Sequence, residues 1–327
     1  MSATAPHFVC EGGALVGPAL MVHGGAGTFA RLRDEATRAH LQNAIGLALD
    51  AGWAFLVRGE DALPAAVEAV ACLEDSGLFN AGRGSTPTSE GKIEMDAGVM
   101  DGVTGTAGAI CAGTWPANPV RAALAVARLS ITDASTPALP PVAADVPGAG
   151  QGRGSWQPLL LAGVGADRLA EAAGLARMTS PGSPAATAPG THDGTAPGTV
   201  GAVALDQAGH LAAATSTGGR AGQPPGRVGD SCIIGAGTWA DDSTIAISGT
   251  GTGEAFILAG FAHRVDWAMR SGQGIECALR AAMNAVSARN GNGGAIALAP
   301  SGRFAAIFGT PAMARGWRSG SEVVVRI

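Results

Sequence analysis

The sequence predicts an α+β domain in which antiparallel sheet is covered by helices. Three observations carry this expectation. The second half holds three hairpin signatures, around "DQAGH", "DDS" and "PSG". Other runs place apolar residues at helical spacing, as at Leu63, Ala66, Val67, Val70 and Leu73. The strands also come in adjacent pairs instead of alternating one by one with helices, which disfavours a parallel βαβ fold.

In chain order, "ALMVHGG" (Ala19 to Gly25) is a short apolar run closed by a glycine pair, as a buried strand ending in a tight turn would be. Helices are expected near Arg33 to Val57 and Ala62 to Leu73, the second ended by the turn "FNAGRG". "KIEMDAGVMDG" and "AGAICAGTW" read as two strands about a glycine-containing turn, with helices near Val120 to Ser130 and Pro158 to Ala176. Thr199 to Leu205 and Leu211 to Thr217 each alternate, and a second strand pair spans Ile233 to Ala240 and Thr244 to Ser248. Helices near Gly253 to Ser271 and Ile275 to Ala288 precede the last hairpin, "GGAIALAPSGRFAAIF". Pro137 to Gly154 and Thr179 to Gly198 hold few large apolar side chains and cannot offset their ordering entropy, so both read as exposed and mobile.

The composition narrows the function classes. The chain has 327 residues with 46% hydrophobic content, enough for a substantial core. Its net charge is −5 and Lys92 is its single lysine, so it has no basic field for a nucleic acid or an anionic membrane. Five scattered cysteines without a C-x-x-C spacing argue against a disulfide framework and a thiolate zinc site, and suggest buried or free thiols. No Lys or Arg precedes Arg31, and no apolar run reaches the roughly 18 residues of a membrane span, so neither a leader nor an anchor is expected and a cytoplasmic location fits.

Familiar catalytic signatures are missing. "HGGAGT" and "GTGTGE" match neither dinucleotide-binding nor P-loop patterns, and no organic cofactor is expected. No serine sits in a G-x-S-x-G elbow, and the six histidines show no metal-ligand spacing; His23 reads as structural. Threonine chemistry remains. A threonine hydroxyl is a weak nucleophile that needs an adjacent base. Cutting the Gly198-Thr199 bond would free an α-amine on Thr199 with a pKa near roughly 7.7 to 8.0, so nucleophile and base would reside in one residue. Gly198 permits the strained backbone that a scissile peptide needs.

Taken together, "GTVGAVALD", "AAATSTGG", "GRVGDS", "GAGTWAD" and "SGTGTGE" resemble the catalytic half of the plant-type (class 2) L-asparaginases with isoaspartyl peptidase activity, which are N-terminal-nucleophile hydrolases. "HGGAGT", "LEDSGLFNAGRGS" and "MDAGVMDG" extend the resemblance through the first half. It implies a four-layer αββα sandwich and one structural domain built from residues 1–198 and 199–327. Thr199 then matches the nucleophile exposed by self-cleavage after Gly198, and Thr217 the threonine that orients it. Thr250 and Gly251 match the oxyanion hole, whose donors typically contribute about 3 to 4 kcal/mol each. Arg227 and Asp230 match a clamp for the substrate's α-carboxylate and α-ammonium, with Gly251 and Gly253 beside them. On residue type alone, an Arg and an Asp three apart would more often form a surface salt bridge. The resemblance further implies a structural sodium ion on the carbonyls of Leu73, Glu74, Ser76, Phe79, Ala81 and Arg83, with Asn80 as supporting polar structure. It also implies an (αβ)2 assembly and small-molecule substrates, L-asparagine and β-aspartyl dipeptides.

Two features depart from the pattern. Pro197 fixes φ just before the Gly-Thr pair, which bears on cleavage rate, and Ser130 to Trp156 has no counterpart and reads as an inserted surface loop. The rivals are a glycosylasparaginase, the protein-cutting threonine aspartase, and an uncleaved relative acting as a binding protein. The aspartate of "GRVGDS" disfavours the protein-cutting branch, which must accept an internal peptide.

Overall fold

The computed structural model describes residues 6–27, 35–129, 158–178 and 198–327. The expected mobile stretches, the 130–156 insertion and Pro197 lie outside these residues, Gly198 excepted. The fold is mixed α+β. An eight-stranded sheet runs in the order β13 (Glu322–Arg326), β12 (Ala312–Ser319), β2 (Ala19–Gly27), β6 (Val200–Leu205), β7 (Leu211–Thr217), β3 (Met95–Asp101), β4 (Ala107–Gly113) and β5 (Leu160–Ala162). A five-stranded sheet runs β1 (Val9–Ala14), β11 (Arg303–Phe308), β10 (Gly293–Leu298), β9 (Ile245–Gly251) and β8 (Thr238–Asp241). Neighbours pair antiparallel except β4 with β5.

Three apolar cores hold these elements. In the first, α1 (Glu35–Val57), α2 (Ala62–Ser76) and α3 (Pro119–Leu129) bury Ile45, Leu49, Val70, Leu73 and Val126 against Val200, Ala202 and Ala214 of the larger sheet. The second joins Met21, Val203, Leu205 and Leu211 of that sheet to Ile296, Leu298 and Phe304 of the smaller one. In the third, α5 (Gly253–Ala259), α6 (Phe261–Arg270) and α7 (Ile275–Ser287) pack Phe256, Phe261 and Leu279 onto Ile247, Ala295 and Ile307. Every residue of β6 and β7 is therefore buried, although their sequences alternate. The alternation separates two apolar faces: Ala202 and Ala204 meet the helices, whereas Val203 and Leu205 meet the other sheet.

Several elements differ from expectation. The 253–271 run is broken at Gly260, whose left-handed backbone ends α5. Residues 158–176 form β5 before the nine-residue α4 (Val164–Ala172), and the strand expected from Ile233 begins at Thr238. The edge strands β1 and β13 and the neighbouring β12 were not foreseen, because β1 is glycine-rich and the other two are held by sheet pairing. Among the described residues, no helix is long and apolar enough to cross a membrane.

Candidate active site

Thr199 stands one residue before β6 and is buried. The last β6–β7 pair is Val200 with Ser216, so one further step of that register sets Thr199 opposite Thr217. Thr217 in turn pairs with Asp96 of β3. Its Oγ1 accepts the Gly219 N–H at 3.1 Å, which leaves the hydroxyl proton free to be donated elsewhere.

Two other segments close on the Gly198-Thr199 peptide. Gly25 has φ +97°, and a Cβ there would lie 2.4 Å from the Gly198 nitrogen, so only glycine lets the "HGGAG" turn pass this close. A Cβ built on Gly198 would meet Thr250 Oγ1 at 3.4 Å, which puts that hydroxyl beside the peptide. Gly251 follows it with φ +146°. The two sheets thus bring Thr199, Thr217, Thr250 and Gly251 together at one end of the core they share.

Below them runs a buried polar chain. His23 Nε2 is 2.9 Å from Ser248 Oγ, Ser248 Oγ is 2.7 Å from Thr215 Oγ1, and Thr215 donates to the Gly237 carbonyl at 3.4 Å. His23 Nδ1 accepts the Gly25 N–H, so Nε2 carries the ring proton of the neutral form. Burial pushes the His23 pKa down to about 3, against an opposing hydrogen bond with the Thr199 backbone, so the ring stays neutral. This chain joins β2, β7 and β9 beneath Thr199.

The second centre is the loop 223–230. Arg227 and Asp230 do not pair with each other, as a surface salt bridge would require. Arg227 Nε bonds Glu254 at 2.9 Å, and Nη1 reaches Gln223 Oε1 at 3.4 Å. Asp230 is buried, and its Oδ2 has no hydrogen-bond partner. Burial raises its pKa to about 6 while the nearby Arg227 charge opposes the rise. Both side chains converge on Gly253, where a Cβ would lie 3.0 Å from Arg227 Nη2 and 3.0 Å from Asp230 Oδ1. Gly253 lies three residues after Thr250, so one short segment connects the two centres.

Strand β3 grips the same loop. Asp96 Oδ2 accepts the Gly229 N–H at 2.8 Å and Oδ1 the Ala112 N–H at 2.9 Å, while Glu94 accepts the Gly226 N–H at 2.6 Å. Asp96 therefore faces Thr217 through the sheet and the clamp loop through its carboxylate.

A family model described as asparaginase matches residues 16–133 and 166–326. The chain belongs to the asparaginase family. It is therefore a hydrolase-family enzyme. It is 39% identical over 324 residues to a plant-type L-asparaginase of Pyrobaculum calidifontis, covering 93% of this chain and 98% of that protein. It is 38% identical to an isoaspartyl peptidase of Salmonella typhimurium, covering 91% of this chain and 94% of the other. An isoaspartyl peptidase/L-asparaginase of Xenopus laevis is 35% identical, with 90% of each chain covered.

In this asparaginase-family chain residues 73–76 form the last turn of α2, and residues 77–84 form the loop that follows it. A Cβ on Gly84 would lie 2.0 Å from the Phe79 oxygen and 2.9 Å from that of Gly77. Leu73, Phe79 and Ala81 each accept one hydrogen bond here, from Ser76 Oγ, Ala81 N and Gly84 N, and each carbonyl keeps a second lone pair. Such all-oxygen donors fit a hard cation. No cluster of three or more His, Cys, Asp or Glu suited to a metal occurs among the described residues. Asn80, at the centre of this loop, donates to the Gly219 carbonyl at 2.7 Å, and its own carbonyl accepts the Gly218 N–H. It thereby holds the turn that follows Thr217.

The residues that sequence reasoning left unassigned are Ser248, Thr215, Asp96, Glu94 and Gln223. Asp96 lies within the quoted "MDAGVMDG", but nothing local shows that its carboxylate spans to Gly229. His23, expected to be structural, is buried and bonds Ser248 and the Gly25 N–H.

Proposed function

We propose that the protein hydrolyses the side-chain amide of L-asparagine and of β-aspartyl dipeptides, with Thr199 as nucleophile once the Gly198-Thr199 bond has been cut. The observation that carries the substrate class is Asp230: a buried carboxylate with one unpartnered oxygen, beside a guanidinium that it does not bond. Burying an unpaired carboxylate is costly, so the site is built for a cationic partner. An α-ammonium on Asp230 and an α-carboxylate on Arg227 fit a substrate that carries both free groups on one carbon. L-Asparagine and an N-terminal β-aspartyl residue do.

In this reading the freed α-amine of Thr199 takes the proton from its own Oγ1, which attacks the amide carbon. The Thr250 hydroxyl and the Gly251 N–H receive the oxyanion. Thr217 donates to Thr199 and orients it. Collapse breaks the C–N bond, and the protonated amine leaves as ammonia or a peptide. Water, deprotonated by the same α-amine, then hydrolyses the β-aspartyl ester to aspartate and restores Thr199.

The reading carries the finer fold and assembly with it. Residues 1–198 and 199–327 would be two parts of one αββα N-terminal-nucleophile sandwich, as the alternation of three cores supports, paired as (αβ)2 in the cytoplasm. A sodium ion on the carbonyls of Leu73, Glu74, Ser76, Phe79, Ala81 and Arg83 would supply electrostatic order to the loop that carries Asn80.

The test is intact mass under denaturing conditions together with hydrolysis of both substrate classes, for the wild type and Thr199→Ala. Two fragments, the smaller beginning at Thr199, and no fragments or turnover from the variant are the expected results. Normal hydrolysis by Thr199→Ala overturns the mechanism.

A further inference from the structure

We propose that Cys111 and Cys232 form an oxidisable dithiol, and that its closure to a disulfide by a peroxide loosens the clamp formed by Arg227 and Asp230. The inference rests on the clamp reading given above. Cys111 lies on β4 and Cys232 two residues after Asp230, and both are buried. They share a small buried cluster of their own with Ala109. The remaining cysteines are apart: Cys10 and Cys72 are half-buried and Cys277 is exposed.

What sets the pair apart is its neighbours. Cys232 Sγ donates to the Gly229 carbonyl at 3.7 Å, and Cys111 Sγ to the Leu161 carbonyl at 3.8 Å. The residue after Cys111 is Ala112, held at φ +49°, a backbone region that costs a non-glycine residue about 1 kcal/mol or more. Asp96 takes its two amide bonds from Ala112 and Gly229, so one bond lies beside each cysteine. Two thiols packed in one cluster must close to about 2.05 Å to form a disulfide. That movement draws Ala112 and Gly229 with it, and it removes the S–H donor from the Gly229 carbonyl. Arg227 lies two residues before Gly229 and Asp230 directly after it, so the two lose their fixed spacing.

The chemistry balances. The Cys111 thiolate is the better nucleophile of the pair, because the adjoining Cys232 lowers its pKa, whereas Cys111 first and burial second raise that of Cys232. It attacks hydrogen peroxide, the O–O bond breaks, and a sulfenic acid and hydroxide form. The Cys232 thiol then attacks that sulfur and expels water. In sum, two thiols and one peroxide become one disulfide and two waters, with the sulfurs oxidised and the peroxide reduced.

The experiment titrates the purified mature protein with hydrogen peroxide, alkylates the remaining thiols, and maps unreduced peptides by mass. The expected product is a Cys111–Cys232 cross-linked peptide. Amide hydrogen exchange at Gly226 and Gly229 should accelerate, and KM should rise roughly tenfold, the size of one weakened charge-assisted hydrogen bond, with dithiothreitol reversing all three changes. Cys111→Ala and Cys232→Ala should each make KM insensitive to peroxide; the wild-type peptide map stands even if a variant fails to fold. Separate alkylation or sulfinic acid at both thiols overturns the proposal, as does a cross-link that leaves KM and the two amides unchanged. A protein that hydrolyses neither substrate class overturns the proposed function instead, and the cross-link and amide exchange still decide this inference.

Discussion

Glu74 lies on the last turn of α2, within the candidate sodium loop, and its side chain is fully buried under Ser216 of β7. Oε1 accepts the Val120 N–H at 3.0 Å, whereas Oε2 and Ser216 Oγ each lack a partner at hydrogen-bond geometry. Burial raises the carboxyl pKa from 4.5 to about 8, against the favourable effect of Ser216, Val120 and Asn118 on the charged form. The folded state thus holds a proton that the unfolded chain releases above 4.5, and the stability tied to it is complete at acid pH and is lost as pH rises through 8. The total is about 5 kcal/mol, of which about 3 is lost by pH 7 and about 1 to 2 beyond it. Glutamine keeps the shape, accepts from Val120 and can donate to Ser216 at every pH. Glu74→Gln should therefore match the wild type at pH 5 and retain more stability at pH 9, a difference of a few degrees in Tm relative to neutral pH. Other titrating groups, Asp230 included, are common to both proteins and cancel. Parallel Tm-against-pH profiles would refute the reasoning.

The remaining predictions concern the clamp. Asp230, with its pKa raised to about 6 by burial, is ionised above that value and attracts an ammonium only there, so KM should climb as pH falls from 7 to 5 and approach roughly tenfold per unit at the acid end. A flat KM over that range would remove Asp230 from ammonium binding. Gly253→Ala would place a methyl 3.0 Å from both Arg227 Nη2 and Asp230 Oδ1, at a position whose backbone is not left-handed. It should raise KM by roughly tenfold or more, the loss of about one charge-assisted hydrogen bond, with little change in Tm. A fall in Tm with KM unchanged would make Gly253 a packing residue.

Much of the fold was legible because its causes are local. The β6–β7 hairpin follows from "DQAGH" between two apolar runs, and α7 from its stripe of Ile275, Ala278, Leu279, Ala282 and Val286. The break at Gly260 and the strands β12 and β13 were not, because a glycine within a helical pattern carries no label and an edge strand owes its form to the neighbour it pairs with. The candidate site divides in the same way. Thr199, Thr217, Thr250, Arg227 and Asp230 stand in short contiguous motifs, whereas the grip of Asp96 on Gly229 spans 133 positions and that of His23 on Ser248 spans 225.

By itself the sequence determined which side chains are available for chemistry and in what order, since motif and turn signals act between covalent neighbours. It supplied a threonine after a glycine, an arginine and an aspartate three apart, and thiols in no telling spacing. Only the tertiary structure decided what each group faces. It left one Asp230 oxygen without a partner, kept His23 neutral, raised the Glu74 pKa, and set Cys111 against Cys232. Each of those outcomes depends on desolvation and on contacts between separate strands, which exist only once two sheets and their helices have closed around the groups.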